Sequence, residues 1–538
     1  MSIVAVPDLA PDVSVRARVL RRLVPSSSAI AWMSMVVLAA VRAGTLEERD
    51  PYWEARAGLE NLRGVPLARP NTWSWAPLNH DFFPNSPAWN VMLGIAWWVG
   101  GFWGLFVLGF LAIFGFFAVT YLLARKLGAH PLGALAGIVA GFVFAVSMIS
   151  YRGTLGVQIL LVVGLLIPPW WRPRLERLSP WANGVAFLVI GAALGTVGNW
   201  IHLSFFYLGP ALAVSWGVYW LASDWPGSWR VRLHDPRRWA LTLGGAAGLI
   251  LGSLATPYGV AGTIERSRET AAACAKYIME WVSPFDRRLL SGSPVMLTWP
   301  IAAVLAMISV VWLGRWWIVR VRGGSIDNRF ALISSIATLA VPLAVAGDFA
   351  LRFLGSSILL LMPVWGTAIT WLAHRLKERA DGLAPDHRFK ETALRWTQTV
   401  SWRRVLTIVW SLLFLPSLWL SLGGHSRPIE TTAIESLPTG CRLFTTASIA
   451  GPTILLREDV LVWLDGRADY YGQQRLEEAQ SYFTGVGATA APPGATCAVL
   501  PVVGPPTSLP LATARLNADP AWKRVGTYNG FDVWVLTA

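Results

Sequence analysis

Carboxylates, a histidine and arginines lie close together in the stretch Glu47–Pro87, EERDPYWEARAGLENLRGVPLARPNTWSWAPLNHDFFPNSP. Asp50 stands before Pro51 and the helical-looking run YWEARAGLENL, Glu54 follows one turn on, and His80 and Asp81 are adjacent. A carboxylate at the low-dielectric edge of an apolar segment has its pKa pushed up toward the range a general base needs, which makes Asp50 a candidate base. The plainer reading is a helix start, because Asp followed by Pro suits a first turn. One residue can serve both roles. His80 and Asp81 can bind a hydroxyl-bearing substrate, assist the base, or join Asp50 around a divalent ion. A single His-Asp pair is a weak metal signal, so no metal is assigned and a divalent ion stays an open alternative.

Other residues able to do chemistry lie far along the chain. Arg152 sits in SYRGT (150–154) and Arg352 in GDFALR (347–352), both in short turns between apolar runs. A guanidinium there can make two charge-assisted hydrogen bonds to a phosphate; its bland alternatives are snorkelling or, for Arg352, pairing with Asp348. Glu280 and Trp281 end a helix-like run, where Glu can bind a sugar hydroxyl and Trp can stack on a sugar face, although Trp is equally at home at a membrane interface. His202 can bind substrate or cap a helix end.

The elements that must position these residues are membrane helices. The chain has 538 residues, of which 54% are hydrophobic and 14% charged, and its mean hydropathy is +0.48. That composition belongs to a polytopic membrane protein. Apolar runs long enough to cross about 30 Å of hydrocarbon fall near 27–43, 102–124, 131–149, 155–171, 183–201, 204–222, 238–255, 296–314, 330–347, 353–373 and 405–422. Basic residues gather in alternate loops: Arg125 and Lys126; Arg172, Arg174 and Arg177; Arg230 to Arg238; Arg315 to Arg329; and the segment from Arg375 to Arg404. This is the positive-inside pattern, with the N-terminus in the cytoplasm. It accounts for the net charge of +14 without a nucleic-acid partner. It also makes 88–101 a juxtamembrane or re-entrant helix rather than a crossing, since a crossing there would invert every later basic loop. Eleven crossings then make residues 1–423 a membrane module, with external loops at 44–101 and 256–295. The arginines before residue 27 precede an apolar run too long for a cleavable signal, so a retained first helix is expected.

From 424 to 538 the character is soluble. Strand-like runs at 441–446, 460–465, 497–503, 523–528 and 532–537 alternate with helix-like stretches at 473–483 and 508–517, as in a small α/β domain with a mixed sheet. On the outer face a Cys441–Cys497 disulfide and two free thiols are both open readings; Cys274 is the remaining cysteine, and no pair has metal spacing. For Asp465, Arg467 and Asp469 a turn and salt-bridge role is expected, because nothing in the sequence brings them to the membrane-side residues.

These motifs resemble a group of bacterial membrane proteins. In that group the first loop reads D-x-W-W-H-L-R-T-G, then G-x-V-P, then N-H-E-W, and a later segment reads D-G-R-A-D-L-Y-G. Here Asp50-Pro51-Tyr52-Trp53-Glu54, Gly64-Val65-Pro66, Asn79-His80-Asp81-Phe82 and Asp465-Gly466-Arg467-Ala468-Asp469-Tyr470-Tyr471-Gly472 stand in those places. Arg152 with Gln158, His202, Pro257-Tyr258-Gly259, Glu280-Trp281 and Arg352-Phe353 match downstream. Two first-loop positions depart from the pattern: Glu54 replaces a histidine and Asp81 a glutamate. The group is similar to the GT-C superfamily of glycosyltransferases. The resemblance implies a polyprenyl-phosphate-linked sugar donor, an envelope glycan, lipid or protein acceptor, an inverting transfer and a bacterial inner-membrane location. It also implies Asp50 and Asp81 as catalytic residues, with Glu54, His80, Arg152, His202, Glu280, Trp281 and Arg352 binding substrate. Two other classes stand beside it: a transporter or flippase for lipid-linked glycans, which would carry ionisable residues at mid-membrane, and a non-catalytic assembly protein. The expected spans are nearly free of such residues.

Overall fold

The computed structural model describes residues 26–45, 49–223, 234–287, 298–322, 327–381, 427–487, 489–502 and 509–537. Among these, nine helices are long and apolar enough to cross a membrane, and ten if one bent pair is counted as a span. The architecture is that of a polytopic helical membrane protein with a C-terminal α/β domain. Ten of the eleven expected spans fall on these helices, and the eleventh, 405–422, lies outside the described residues.

The first span, α1 (Ser27–Gly44), starts at Ser26, whose hydroxyl accepts the Ala29 N–H. It ends on Arg42, which is buried and donates to the carbonyls of Val146, Ile149 and Thr45. Helix ends leave carbonyls without partners, and in an apolar surrounding a guanidinium is an economical way to satisfy several at once. Helix α2 (Asp50–Leu62) follows, with Pro51 in its first turn.

The next element, α3 (Pro87–Lys126), has 40 residues and is broken at Gly101, where φ is +53°. A Cβ on Gly104 would collide with the Ala96 carbonyl. In a straight helix eight residues span about 12 Å, so the chain reverses sharply at this break. Residues 87–100 are therefore a separate arm that does not extend the axis of the span after it. Helix α2 lies across this arm backbone to backbone: Gly94 has room for no side chain, its Cβ position being 2.7 Å from the Gly58 carbonyl carbon.

The remaining spans are α4 (Pro131–Ala145), α5 (Gly153–Trp171), α6 (Pro180–Ile201), α7 (Phe205–Ala222), α8 (Pro236–Leu254), α10 (Thr298–Arg322), α11 (Asn328–Gly347) and α12 (Leu351–Asp381). Helix α9 (Gly259–Tyr277) bends away from α8 by 75°. Helices α6 and α8 approach so closely that a Cβ on Gly195 would sit 2.8 Å from the Gly252 backbone, the small-residue packing that membrane helices use. Buried Arg238 at the start of α8 donates to the Trp220, Leu221 and Ser223 carbonyls and so closes the end of α7.

In the C-terminal domain, β1 (Arg442–Thr445), β2 (Leu461–Val462), β3 (Cys497–Pro501), β4 (Trp522–Tyr528) and β5 (Phe531–Leu536) form one sheet in the order β2-β1-β3-β5-β4. The first three are parallel and β5 is antiparallel to both its neighbours. Helices α13 (Thr431–Glu435), α14 (Ala447–Leu456), α15 (Ala468–Phe483) and α16 (Leu509–Ala518) connect or cover it. A disulfide joins Cys441 to Cys497, with Cα atoms 6.0 Å apart.

This domain is not a detached lobe. The first loop pairs with the edge strand, the Val462 N–H donating to Trp73 O at 2.9 Å and the Trp75 N–H to Val462 O at 3.2 Å. Trp53, Ala57, Trp73 and Phe82 of the loop belong to the domain's own apolar core. Ion pairs Arg49–Glu430 (2.9 Å) and Arg56–Glu458 cross the same boundary.

Candidate active site

Asp50 opens α2, and two contacts set its carboxylate: the Trp53 Nε1–H donates to Oδ1 at 3.0 Å, and Arg152 Nη2 meets Oδ2 at 2.9 Å. Arg152 reaches on through Nη1 to Glu280 Oε1 at 3.1 Å. Gly466 of the C-terminal domain lies against Asp50 on its other side, where a Cβ would collide with Oδ1. The carboxylate is thus held between a guanidinium from the start of α5 and a backbone from the covering domain.

These groups border a cavity of about 700 Å³. The first loop and α2 contribute Asp50, Trp53, Glu54, Asp81, Phe83 and Asn85. The ends of the spans and α9 contribute Arg152, His202, Arg266, Arg268, Glu280, Trp281 and Arg352. The C-terminal domain contributes Gly466, Asp469 and Tyr470. The span ends involved are the C-termini of α1, α6 and α8 and the N-termini of α5 and α12, which alternation puts at one end of the bundle. Arg352 lies 4.6 Å over the Trp281 ring, and Phe353 meets the same ring edge-on. A side niche of about 40 Å³ shares Arg152, Glu280 and Arg352 and adds Ser150, Gln158 and Ser356, with Gln158 Nε2 donating to Ser356 Oγ at 3.0 Å.

Burial raises the Asp50 pKa above the usual carboxylate value against the lowering effects of Arg152 and the Trp53 hydrogen bond; Glu280 and Asp465 push it further up. His202 is lowered to about 3, by burial first and then by the charges of Arg352 and Arg152. Its Nδ1 accepts the Ser204 N–H at 3.0 Å, so the neutral ring carries its proton on Nε2. Asp469 is raised mainly by burial, with Asp50 adding to the shift and Arg467 opposing it.

Eight of the nine residues singled out in the sequence border this cavity: Asp50, Glu54, Asp81, Arg152, His202, Glu280, Trp281 and Arg352. His80 does not. Its Nε2 is 3.0 Å from Tyr470 O and its ring lies 4.9 Å from the Tyr470 ring. Asp465 and Arg467 form the expected ion pair, fully buried at 2.6 Å. Arg467 also donates to Asn71 Oδ1 at 2.9 Å and lies 4.4 Å over both Trp73 and Phe82, which fastens the first loop to the domain. Asp469 takes the turn part of its expected role, its carboxylate accepting backbone N–H groups at Asp469 and Tyr470 in the first helical turn; it has no salt bridge among the described residues and borders the cavity. The DGRAD run was visible in the sequence, but the fold that carries it back to Asp50 was not. No group of three or more His, Cys, Asp or Glu suited to a metal ion occurs among the described residues.

No protein-family model matches the sequence, and no curated protein matches it. Among solved structures the chain is similar to the Archaeoglobus fulgidus oligosaccharyltransferase. The form tethered to an acceptor peptide aligns at 11% identity and a TM-score of 0.45, over 90% of this chain and 72% of that one. The apo form aligns at 12% identity and a TM-score of 0.47, over 89% and 72%. The chain is also similar to ArnT from Cupriavidus metallidurans bound to undecaprenyl phosphate, at 13% identity and a TM-score of 0.43, over 94% of this chain and 97% of that one.

Proposed function

We propose that this protein is an inverting membrane glycosyltransferase of the GT-C type. It moves a sugar from a polyprenyl-phosphate carrier to an acceptor hydroxyl of the cell envelope, on the outer face of a bacterial inner membrane. The observation that carries the reading is the convergence of Asp50, Arg152, Glu280, Trp281, His202 and Arg352 on one cavity at one end of the bundle.

Each part of the reaction has a group suited to it. Asp50 takes the proton of the acceptor hydroxyl as that oxygen attacks the anomeric carbon. The bond from that carbon to the phosphate oxygen breaks, and polyprenyl phosphate leaves with the bonding electrons. A single displacement from the opposite face inverts the anomeric configuration. Charge grows on the phosphate as it leaves, and Arg152 and Arg352 border the cavity where two guanidinium groups can meet it. Trp281 borders the cavity with Arg352 over its ring, and an indole there can pack against a sugar. Neutral His202 offers its Nε2–H to a sugar or phosphate oxygen. The apolar spans around the arginines suit a lipid chain, and the covering domain limits water.

The test is transfer from a radiolabelled pool of polyprenyl-phosphate sugars by the full chain in nanodiscs. Asp50→Asn is expected to lower transfer by about 10²–10⁴, the usual range for a lost general base. Unchanged transfer would remove Asp50 from the mechanism.

A further inference from the structure

The side niche shares a wall of Arg152, Glu280 and Arg352 with the main cavity and reaches between the second turns of α5 and α12, where Gln158 and Ser356 stand. Gln158 is only 6% exposed. Its Nε2 donates to Ser356 Oγ at 3.0 Å, and Ser356 Oγ gives its own hydrogen to Arg352 O at 2.9 Å. The serine can therefore only accept from the amide, which fixes which amide atom is the oxygen. That leaves Gln158 Oε1 buried with no donor among the described residues. A buried acceptor without a donor is costly to keep, and a water or a ligand O–H relieves it.

We propose that this niche is a specificity subsite for the transferred sugar, holding one hydroxyl or hydroxymethyl substituent whose O–H donates to Gln158 Oε1. This rests on the transferase reading above and adds what the site reads on its donor. The chemistry of the wall selects the group. An amide oxygen and the Glu280 carboxylate disfavour a phosphate oxygen, and the Arg152 and Arg352 guanidiniums disfavour an ammonium, so a neutral O–H remains. Size selects it too. A water takes roughly 10–15 Å³ of such space, so about 40 Å³ admits about three heavy atoms and not a sugar ring. Met148 and Leu359 line the same space and suit the carbon of a hydroxymethyl group; Met148 lies against the bare backbone of Gly355, next to Ser356. A sugar joined to a phosphate between Arg152 and Arg352 lies beside the wall that those two residues share with the niche.

The test is a coupling between substituent and residue, read as kcat/KM of the full chain in nanodiscs. The probes are the undecaprenyl-phosphate sugar that wild type transfers best and its monodeoxy analogues, one hydroxyl removed at a time. Wild type is expected to lose about tenfold or more with one analogue, and Gln158→Met, which fills the space without an acceptor, to bring that ratio within about threefold while the others stay. Gln158→Glu keeps an acceptor oxygen and is expected to keep the preference. Ser356→Ala, a smaller change that releases the amide, is expected to weaken it and serves where Gln158→Met does not fold. An amide that only holds water or the helices together would lower transfer from every donor by one factor. That result, or a wild type that accepts every analogue equally, would overturn the subsite and leave the transferase reading standing. No transfer by wild type from any polyprenyl-phosphate sugar would overturn the transferase reading itself.

Discussion

At the residue scale, the Asp50–Arg152 pair sets the protonation behaviour of the site. Burial pushes the Asp50 carboxyl up while Arg152, 2.9 Å away, pulls it down. If Asp50 must be ionised to act, activity falls as pH drops through its pKa, and that acid limb lies above the ordinary carboxylate value. Removing the cation withdraws the lowering effect, so Arg152→Gln moves the limb to higher pH, separately from any loss in maximal rate. A pH profile of kcat/KM checks this; a limb that stays in place or moves down contradicts it. His202, held neutral down to about 3, adds no limb near neutrality. Asp50 was legible in the sequence because an acid and a proline at the edge of an apolar run have a physical meaning of their own. The contact of His80 was not legible: the loop's local chemistry is readable, but its partner Tyr470 is 390 positions away.

At the scale of elements, the position of Asp50 depends on two close backbone approaches. Helix α2 lies on the first arm of α3 through Gly58 and Gly94, and the DGRAD turn reaches α2 through Gly466. Gly466→Ala places a methyl against Asp50 Oδ1, and the short aspartate side chain has little room to yield. The expected result is a fall in transfer of roughly 10–100-fold, the order expected when a catalytic group is moved by about 1 Å, with undecaprenyl phosphate binding retained. Wild-type transfer in that variant would show that the contact does not position Asp50. Ten of the spans, the separate helix over 88–101 and the alternation of strand and helix after residue 424 were readable from periodicity and charge. The contacts between α2, α3 and the DGRAD turn were not, because glycine marks a close approach without naming the partner.

On the scale of the whole molecule, the C-terminal domain and the first loop share one apolar core and one strand pairing, and buried Arg467 of the domain donates to Asn71 of the loop. The sequence places a boundary near 423, where hydropathy changes. Packing instead joins Trp53, Trp73 and Phe82 of the loop to the domain on the far side of that boundary. A hydropathy profile records which segments prefer lipid; it carries no information on which water-facing segments pack on each other. Hence eight cavity residues could be named from sequence, while Asp469 and Gly466, supplied by the covering domain, could not.

The measurement that tests the central claim most directly is an experimental density map of the full chain in nanodiscs with undecaprenyl phosphate added. The account predicts phosphate density between Arg152 and Arg352, with the lipid tail leaving between spans. Phosphate density outside this cavity, or an unoccupied cavity at saturating lipid, would contradict it.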